Sequence, residues 1–206
     1  MQVKSFFANV LHIENAVLNR KLADISGELQ LSKGDFLIRE GEKQTQFIFL
    51  LEGILRGFFL DAGGREITDC FGFACGTPGM SCFVDNEPSP ISIEAVTECK
   101  LLCLPSNQLK RLMTENSDLL WIYNEFLQAA LRAHWEIKTM VCQHTAMERY
   151  QWFLNTYPGL IDKVSNKHIA SFLGMTPVTL SRLRRVIREQ TSSNNRHICI
   201  SETDGS

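Results

Sequence analysis

The sequence predicts an α+β protein in which a β-barrel or sandwich, flanked by helices, precedes a long helix and a small helical domain. Three observations predict this fold. Short β-rich runs separated by glycine turns lie between Glu28 and Leu104, a long helical pattern starts near Ser117, and two capped helices lie near the C-terminus. The predicted domains are residues 1–116, 117–145 and 146–206.

The first predicted domain opens with apolar residues at helical spacing, which indicate a helix over residues 6–26. Closely spaced short strands are typical of a sandwich or barrel. The predicted strands are Leu29–Leu31, Phe36–Arg39, Phe47–Leu51, Ile54–Leu60, Ile67–Phe73, Ile91–Val96 and Lys100–Leu104.

The overall composition is that of a protein with a packed core, because 44% of its residues are hydrophobic. The sequence predicts no signal peptide and no transmembrane segment. We therefore expect a cytoplasmic protein with reduced cysteines.

The charge is unevenly distributed. Residues 1–162 carry 14 Lys/Arg and 20 Asp/Glu, whereas residues 163–190 carry six Lys/Arg and one acid, Glu189. A basic segment in an acidic protein indicates a polyanionic partner, although a solvated helix face would have the same composition.

The long helix carries apolar residues at alternating spacings of four and three, which is the pattern of a coiled-coil seam. An ordinary core face is the alternative, but the two alanines permit close approach of a second helix. We therefore predict a homodimer through Leu119, Tyr123, Phe126, Ala130, Ala133, Ile137 and Met140.

The segment from Ser165 to Ile187 has the signals of a helix-turn-helix. Ser165 is a suitable N-cap, Gly174 suits a left-handed turn, and Thr176 with Pro177 suits the start of a second helix. The second helix has an apolar face and a basic face, and arginine on an exposed face can bind guanine in the major groove. The predicted DNA-binding residues are Ser165, Lys167, Thr176, Val178, Thr179, Ser181, Arg182 and Arg185.

In these motifs the chain resembles the cyclic-AMP receptor protein/Fnr (Crp/Fnr) family of bacterial transcription regulators. The stretches Lys33–Glu42 and Phe47–Gly53 resemble the opening of the family's barrel, and the helix-turn-helix with Thr179–Arg182 matches closely. The resemblance implies a cyclic-nucleotide-binding-like jelly-roll barrel, a dimer helix and a winged helix-turn-helix. It also implies double-stranded DNA with a palindromic site, a second copy of the chain, RNA polymerase and an unidentified effector as partners.

The sequence departs from the family at the nucleotide site. The stretches that align with the nucleotide-binding motifs are Gly79-Met80-Ser81 and Ser89-Pro90, so Ser89 replaces the phosphate-binding arginine and Met80 the ribose-binding glutamate. Residues 66–99 contain no Lys or Arg, so Arg56 or Arg65 would have to take the place of the phosphate-binding arginine. We predict that cyclic AMP is not the effector.

The recognition helix and the wing also differ. Val178 replaces the usual base-reading glutamate and could contact a thymine methyl group. The wing is reduced to one predicted strand, Arg196–Ile200, after the polar run Thr191–Asn195.

An enzyme is not predicted, since residues 28–104 contain no histidine for a cupin-type metal site and the chain has no nucleophile motif or P-loop. No cofactor or metal is expected. The barrel cysteines are Cys70, Cys75, Cys82, Cys99 and Cys103, and their spacing matches no metal signature. Buried structural cysteines are favoured, and the alternative function is a ligand-sensing or cysteine-based redox-sensing barrel with DNA binding secondary.

Overall fold

The structure, a computed structural model, describes residues 3–79 and 87–201. It divides into two compact units, one ending at Glu136 and the other beginning at Ile137. Each unit has its own hydrophobic core, so the two are described separately.

The first unit begins with helices α1 (Val3–Asn9) and α2 (Ala16–Ile25) and ends with α3 (Ser106–Glu115) and α4 (Ser117–Gln143), whose last residues belong to the second unit. Each strand predicted from the sequence overlaps an observed strand, and the predicted start of the long helix at Ser117 is confirmed. The strands are β1 (Gly27–Leu31), β2 (Phe36–Ile38), β3 (Gln46–Glu52), β4 (Leu55–Leu60), β5 (Glu66–Gly72), β6 (Ser92–Ala95) and β7 (Cys99–Pro105).

The single helix predicted over residues 6–26 is wrong, because the chain turns between α1 and α2. His12 adopts a left-handed conformation with φ of 53°. Asn15 then caps α2, since its Oδ1 accepts hydrogen bonds of 3.0 Å from the N–H groups of Val17 and Leu18. An asparagine that satisfies these free N–H groups stabilises a new helix start.

The strands form two antiparallel sheets, with strand orders β1-β7-β3 and β2-β6-β4-β5. Register is fixed by pairs such as Phe49 with Leu102 and Gly57 with Ile93. Buried residues of both sheets form one apolar cluster, which fills the interior of the barrel: Ile38, Ile48, Leu50, Leu55, Ile93, Ala95, Cys99, Leu101 and Cys103.

A second core lies on the other face of the three-stranded sheet, against the helices. Alternate residues of β3 supply the two cores, Ile48 and Leu50 the barrel interior and Phe47 and Phe49 the helical side. A strand covered on both faces is apolar throughout, which explains the continuous run in β3. The second core comprises Phe6, Phe7, Ile13, Leu18, Leu22, Phe47, Phe49, Leu102, Leu104, Leu109, Met113 and Leu119.

The second unit contains the end of α4 and helices α5 (Ala146–Thr156), α6 (Leu160–Lys163), α7 (Asn166–Phe172) and α8 (Pro177–Ser201). Its aromatic residues pack together, with the rings of Trp152 and Phe172 stacked 6.0 Å apart. Phe153, Leu160, Val164, Ile169, Ala170, Phe172, Leu173 and Leu180 are buried.

The strand predicted for Arg196–Ile200 is wrong, because these residues lie within α8. The described part of the second unit is helical and contains no wing strand. The reason is visible in the sequence, since no glycine or proline interrupts the chain from Val178 to Ser201. None of the helices in residues 3–79 and 87–201 is both long and apolar enough to cross a membrane.

Candidate nucleic-acid interface

The two helices of the predicted helix-turn-helix are α7 and α8. Ser165 caps α7, where its Oγ accepts a 3.2 Å hydrogen bond from the N–H of His168. Gly174 has φ of 60°, a conformation that glycine adopts without strain. Thr176 Oγ1 accepts a 3.1 Å hydrogen bond from the N–H of Thr179 and caps α8, whose first residue is Pro177. The predicted caps and turn are therefore confirmed.

The start of α8 has the two faces predicted from the sequence. Leu180 is fully buried, and Leu183 and Ile187 are half-buried. The other face is exposed, with Val178 60% accessible. Together with Pro177, the predicted residues Val178, Ser181, Arg182 and Arg185 line one shallow surface depression.

The remaining predicted DNA-binding residues lie at the starts of α7 and α8. Ser165, Lys167 and Thr176 are exposed, and Thr179 is half-buried. The hydroxyls of Ser165 and Thr176 accept backbone hydrogen bonds as caps, and Oγ1 of Thr176 also shares a 2.9 Å hydrogen bond with Oγ1 of Thr179. A hydroxyl that accepts in this way retains its O–H, which can be donated to a phosphate.

Two arginines of the second unit have structural contacts that sequence reasoning missed. Arg184 Nη1 donates a 2.6 Å hydrogen bond to Oδ1 of Asn166 and joins α8 to α7. Arg149 Nη1 donates a 2.7 Å hydrogen bond to the carbonyl oxygen of Leu173. No local pattern indicates contacts between residues 18 or 24 positions apart.

Two of the residues predicted for an effector pocket, Gly79 and Ser89, form hydrogen bonds within the chain. Gly79 donates its N–H to the carbonyl of Ile48 at 2.8 Å. Ser89 is buried, and its Oγ donates to the carbonyl oxygen of Ile91. Pro90 is exposed, and Met80 and Ser81 lie outside the described residues.

Both arginines that could replace the phosphate-binding arginine are paired with carboxylates, and Arg56 is also buried. Arg56 is only 1% exposed and binds Glu94 at 2.7 Å, Glu66 at 3.0 Å and Thr68 at 2.9 Å. Arg65 is 82% exposed and binds Asp61 at 2.7 Å. Among the described residues, both candidate substitutes for the phosphate-binding arginine are already paired with carboxylates.

The predicted dimer seam on α4 is in part a core face. Leu119 is buried, and the rings of Tyr123 and Phe126 contact Phe47 and Phe49 at 5.5 and 5.7 Å. These three residues therefore pack within their own chain. Ala133 is exposed, and Ala130, Ile137 and Met140 are half-buried.

A different face of α4 exposes large apolar side chains. Leu131 and Trp135 are 60% and 59% accessible, and Leu120 and Trp121 are exposed about three to four turns earlier. This exposed row, which contains Leu120, Trp121, Leu131 and Trp135, is not evident from the sequence because the 4-3 spacing of the neighbouring face is more regular. Exposed apolar rows of this size mark interaction surfaces.

Among the cysteines whose side chains the structure describes, Cys99 and Cys103 are buried and Cys70 is partly buried. Cys82 lies outside the described residues. Burial raises the pKa of the Cys99 and Cys103 thiols, and burial together with the charge of Asp69 raises the pKa of Cys70 to about 12. Cys75 and Cys142 are exposed. The described residues contain no group of three or more His, Cys, Asp or Glu that could hold a metal ion.

A jelly-roll-like barrel that is followed by a long helix and a helix-turn-helix is the order of elements found in a class of bacterial regulators. Comparison with known proteins supports this class. The cyclic nucleotide-binding domain family matches residues 28–116. The transcriptional activator protein Anr of Pseudomonas protegens is 24% identical over 164 residues, which are 74% of this chain and 67% of Anr.

Two solved structures have the same fold. FixK2 from Bradyrhizobium japonicum superposes with a TM-score of 0.73 at 19% identity, over 81% of this chain and 86% of FixK2. A crp/fnr family regulator from Eubacterium rectale superposes with a TM-score of 0.68 at 19% identity, over 88% and 87% of the two chains. The domain match, the transcriptional activator Anr and the shared fold confirm the resemblance to the Crp/Fnr family of transcription regulators found in the motifs.

Proposed function

We propose that this chain binds a specific palindromic DNA site as a homodimer and regulates transcription without responding to cyclic AMP. The observation that carries the proposal is the exposed face of α8, where Arg182 and Arg185 stand beside Val178 and Ser181 on one surface. The surrounding segment, residues 163–190, is the basic part of an otherwise acidic chain.

The geometry of α8 supports major-groove binding. Val178 and Arg182 lie in the first two turns of the helix, which are the turns that reach base edges when a recognition helix enters the groove. Arg182 can bind guanine in a bidentate way, and Val178 can pack against a thymine methyl group. Arg185, Lys167 and the two capping hydroxyls serve as phosphate contacts.

The absence of a cation supports control by something other than cyclic AMP. A buried phosphate needs a positive partner. Ser89 is neutral, and Arg56 already neutralises Glu66 and Glu94. The described cluster that both sheets form inside the barrel is apolar, and such side chains do not stabilise a charged ligand.

A second copy of the chain is the occupant proposed for the exposed apolar row of α4. Leu119, Tyr123 and Phe126 attach one side of the helix to its own barrel. A symmetric partner presents the same row and buries both rows together, which is the usual arrangement of a two-fold dimer. Two such chains would place two recognition helices on half-sites of a palindrome.

Selection of bound sequences from random duplex DNA tests the proposal. The purified protein should enrich a palindromic site, and fluorescence anisotropy should then show tighter binding to that site than to a scrambled duplex. Enrichment without symmetry would contradict the dimer, and no enrichment would contradict sequence-specific binding.

A further inference from the structure

Arg149 is a basic residue of the second unit whose guanidinium group binds backbone carbonyls of its own chain. It lies in the first turns of α5, which begins at a capping box in which Thr145 accepts from the N–H of Glu148. Its Nη1 donates to the carbonyl oxygens of Leu173 at 2.7 Å and Gly174 at 3.2 Å. Its Nε is buried and has no hydrogen-bond acceptor among the described residues. Arg149 is therefore directed at the turn between α7 and α8.

The turn has carbonyl groups that need such a donor. The last carbonyls of a helix lack partners within the helix. Two backbone bonds of a Schellman motif serve Ala170 and Ser171, from the N–H groups of Met175 at 2.9 Å and Gly174 at 3.1 Å. Arg149 serves the carbonyls of Leu173 and Gly174, and a cation at this helix end is also favoured by the helix dipole.

The same arginine lies beside the last turns of α4. Its Nη1 is 3.5 Å from the carbonyl oxygen of Val141, a long hydrogen bond. A Cβ atom built on Gly174 would lie 3.0 Å from Nη1 of Arg149 and 3.0 Å from Cγ1 of Val141. The turn is thus packed closely against α5 and the end of α4, and a Cβ at residue 174 would require both of these side chains to shift slightly.

We propose that Arg149 is a positioning residue for DNA recognition, which sets the direction in which α8 leaves the turn. The inference rests on the proposed function of α8. A guanidinium group donates in fixed directions, so two carbonyls held by one nitrogen have a defined orientation. If this contact is lost, α8 stays folded but its base-reading side chains no longer lie in register with the bases.

The test compares two duplexes, the one selected from random DNA and a scrambled one, in fluorescence anisotropy across a salt series. Arg149→Met retains the apolar stem and removes the donor. Binding to the selected duplex should weaken about tenfold, as expected for the loss of one or two charge-assisted hydrogen bonds. Binding to the scrambled duplex and the salt slope should not change, because Arg149 contacts no phosphate.

The matched control is Arg185→Met, which removes an arginine from the DNA-facing surface. This control should weaken binding to both duplexes and lower the salt slope by about one counterion. If Arg149→Met behaves like Arg185→Met, or keeps the full preference for the selected duplex, the inference is overturned. Equal weakening on both duplexes with an unchanged salt slope would indicate a purely structural role and would also overturn it.

Arg149→Lys keeps the charge and covers the case in which the methionine variant does not fold. A single ammonium group cannot reproduce the guanidinium geometry, so the selected duplex should still lose about threefold in affinity. No loss in this folded variant would overturn the inference. If the wild type prefers neither duplex, the proposed function fails and the inference fails with it. If the wild type prefers the selected duplex and the Arg149 variants keep the same preference, only the inference fails.

Discussion

Arg56 and Glu94 form an ion pair in the four-stranded sheet, with Nη1 2.7 Å from Oε1 and the arginine only 1% exposed. Glu66 binds the same guanidinium, and the ring of Phe58 lies 4.4 Å from its central carbon. Three of the strands of the sheet are joined through this one side chain, since Glu66 lies in β5, Arg56 in β4 and Glu94 in β6.

Replacing Arg56 should strongly destabilise the barrel. Arg56→Ala leaves two carboxylates without their cation, and the loss of one partner of a buried pair costs about 3–5 kcal/mol of unfolding free energy. Urea denaturation followed by tryptophan fluorescence or circular dichroism measures it. Arg65→Ala is the control, since its exposed pair with Asp61 should contribute at most about 1 kcal/mol. Similar losses of unfolding free energy in the two variants would show that the buried pair is no more stabilising than the exposed pair.

Cyclic AMP should not bind with useful affinity. Ser89 is neutral, Arg56 is buried in pairs with two glutamates, and Arg65 is paired with Asp61, so none of the three offers an unpaired cation to the nucleotide phosphate. Isothermal titration calorimetry at millimolar nucleotide should therefore record no heat beyond dilution. A dissociation constant in the micromolar range would contradict the prediction.

Arg182 and Arg185 should have separable roles on DNA. Arg182→Ala should weaken binding to the selected duplex by about 1–3 kcal/mol and leave scrambled DNA almost unaffected, because it removes a base contact. Arg185→Ala should weaken both duplexes and lower the salt slope by about one counterion. Anisotropy on both duplexes tests this, and equal effects of Arg182→Ala on the two would reduce Arg182 to a phosphate contact.

Two substitutions on α4 distinguish its faces. Leu131→Glu places a charge in the exposed apolar row, where burial against a partner would be costly. We expect light scattering to detect a monomer. Ala133→Glu tests the seam predicted from the sequence and should leave the dimer in place. If Ala133→Glu were monomeric and Leu131→Glu dimeric, the seam predicted from the sequence would be the interface. A monomeric wild type at micromolar concentration would contradict both proposed interfaces.

The cysteines should differ sharply in reactivity. Cys70 should be alkylated slowly at pH 8, because its pKa of about 12 leaves almost no thiolate. Cys75 and Cys142 are exposed and should react first. Iodoacetamide labelling followed by peptide mass spectrometry measures each site, and urea-unfolded protein is the control in which all thiols react. Fast labelling of native Cys70 would contradict the raised pKa of its thiol.

The helix-turn-helix and the strands could be predicted because their signals are local. Ser165, Gly174 and Thr176 each act on backbone groups within three or four positions, and the alternation of short apolar runs marks the strands. The split between α1 and α2 was missed, since apolar spacing continued across Asn15. The strand at Arg196–Ile200 was predicted wrongly because the family resemblance outweighed the pattern of a helix without breakers.

By itself, the sequence determined the order of the elements, the two caps around Gly174 and the exposed basic face of α8, since each depends on neighbouring residues. Only the tertiary structure decided which face of α4 packs on the barrel, since two adjacent faces of that helix are apolar and the ring contacts of Phe47 and Phe49 select one. The same holds for Arg56 and Arg149, whose partners lie 8 to 38 residues away. A charged side chain has many possible partners along a chain, and long-range packing determines which of them come within hydrogen-bonding distance.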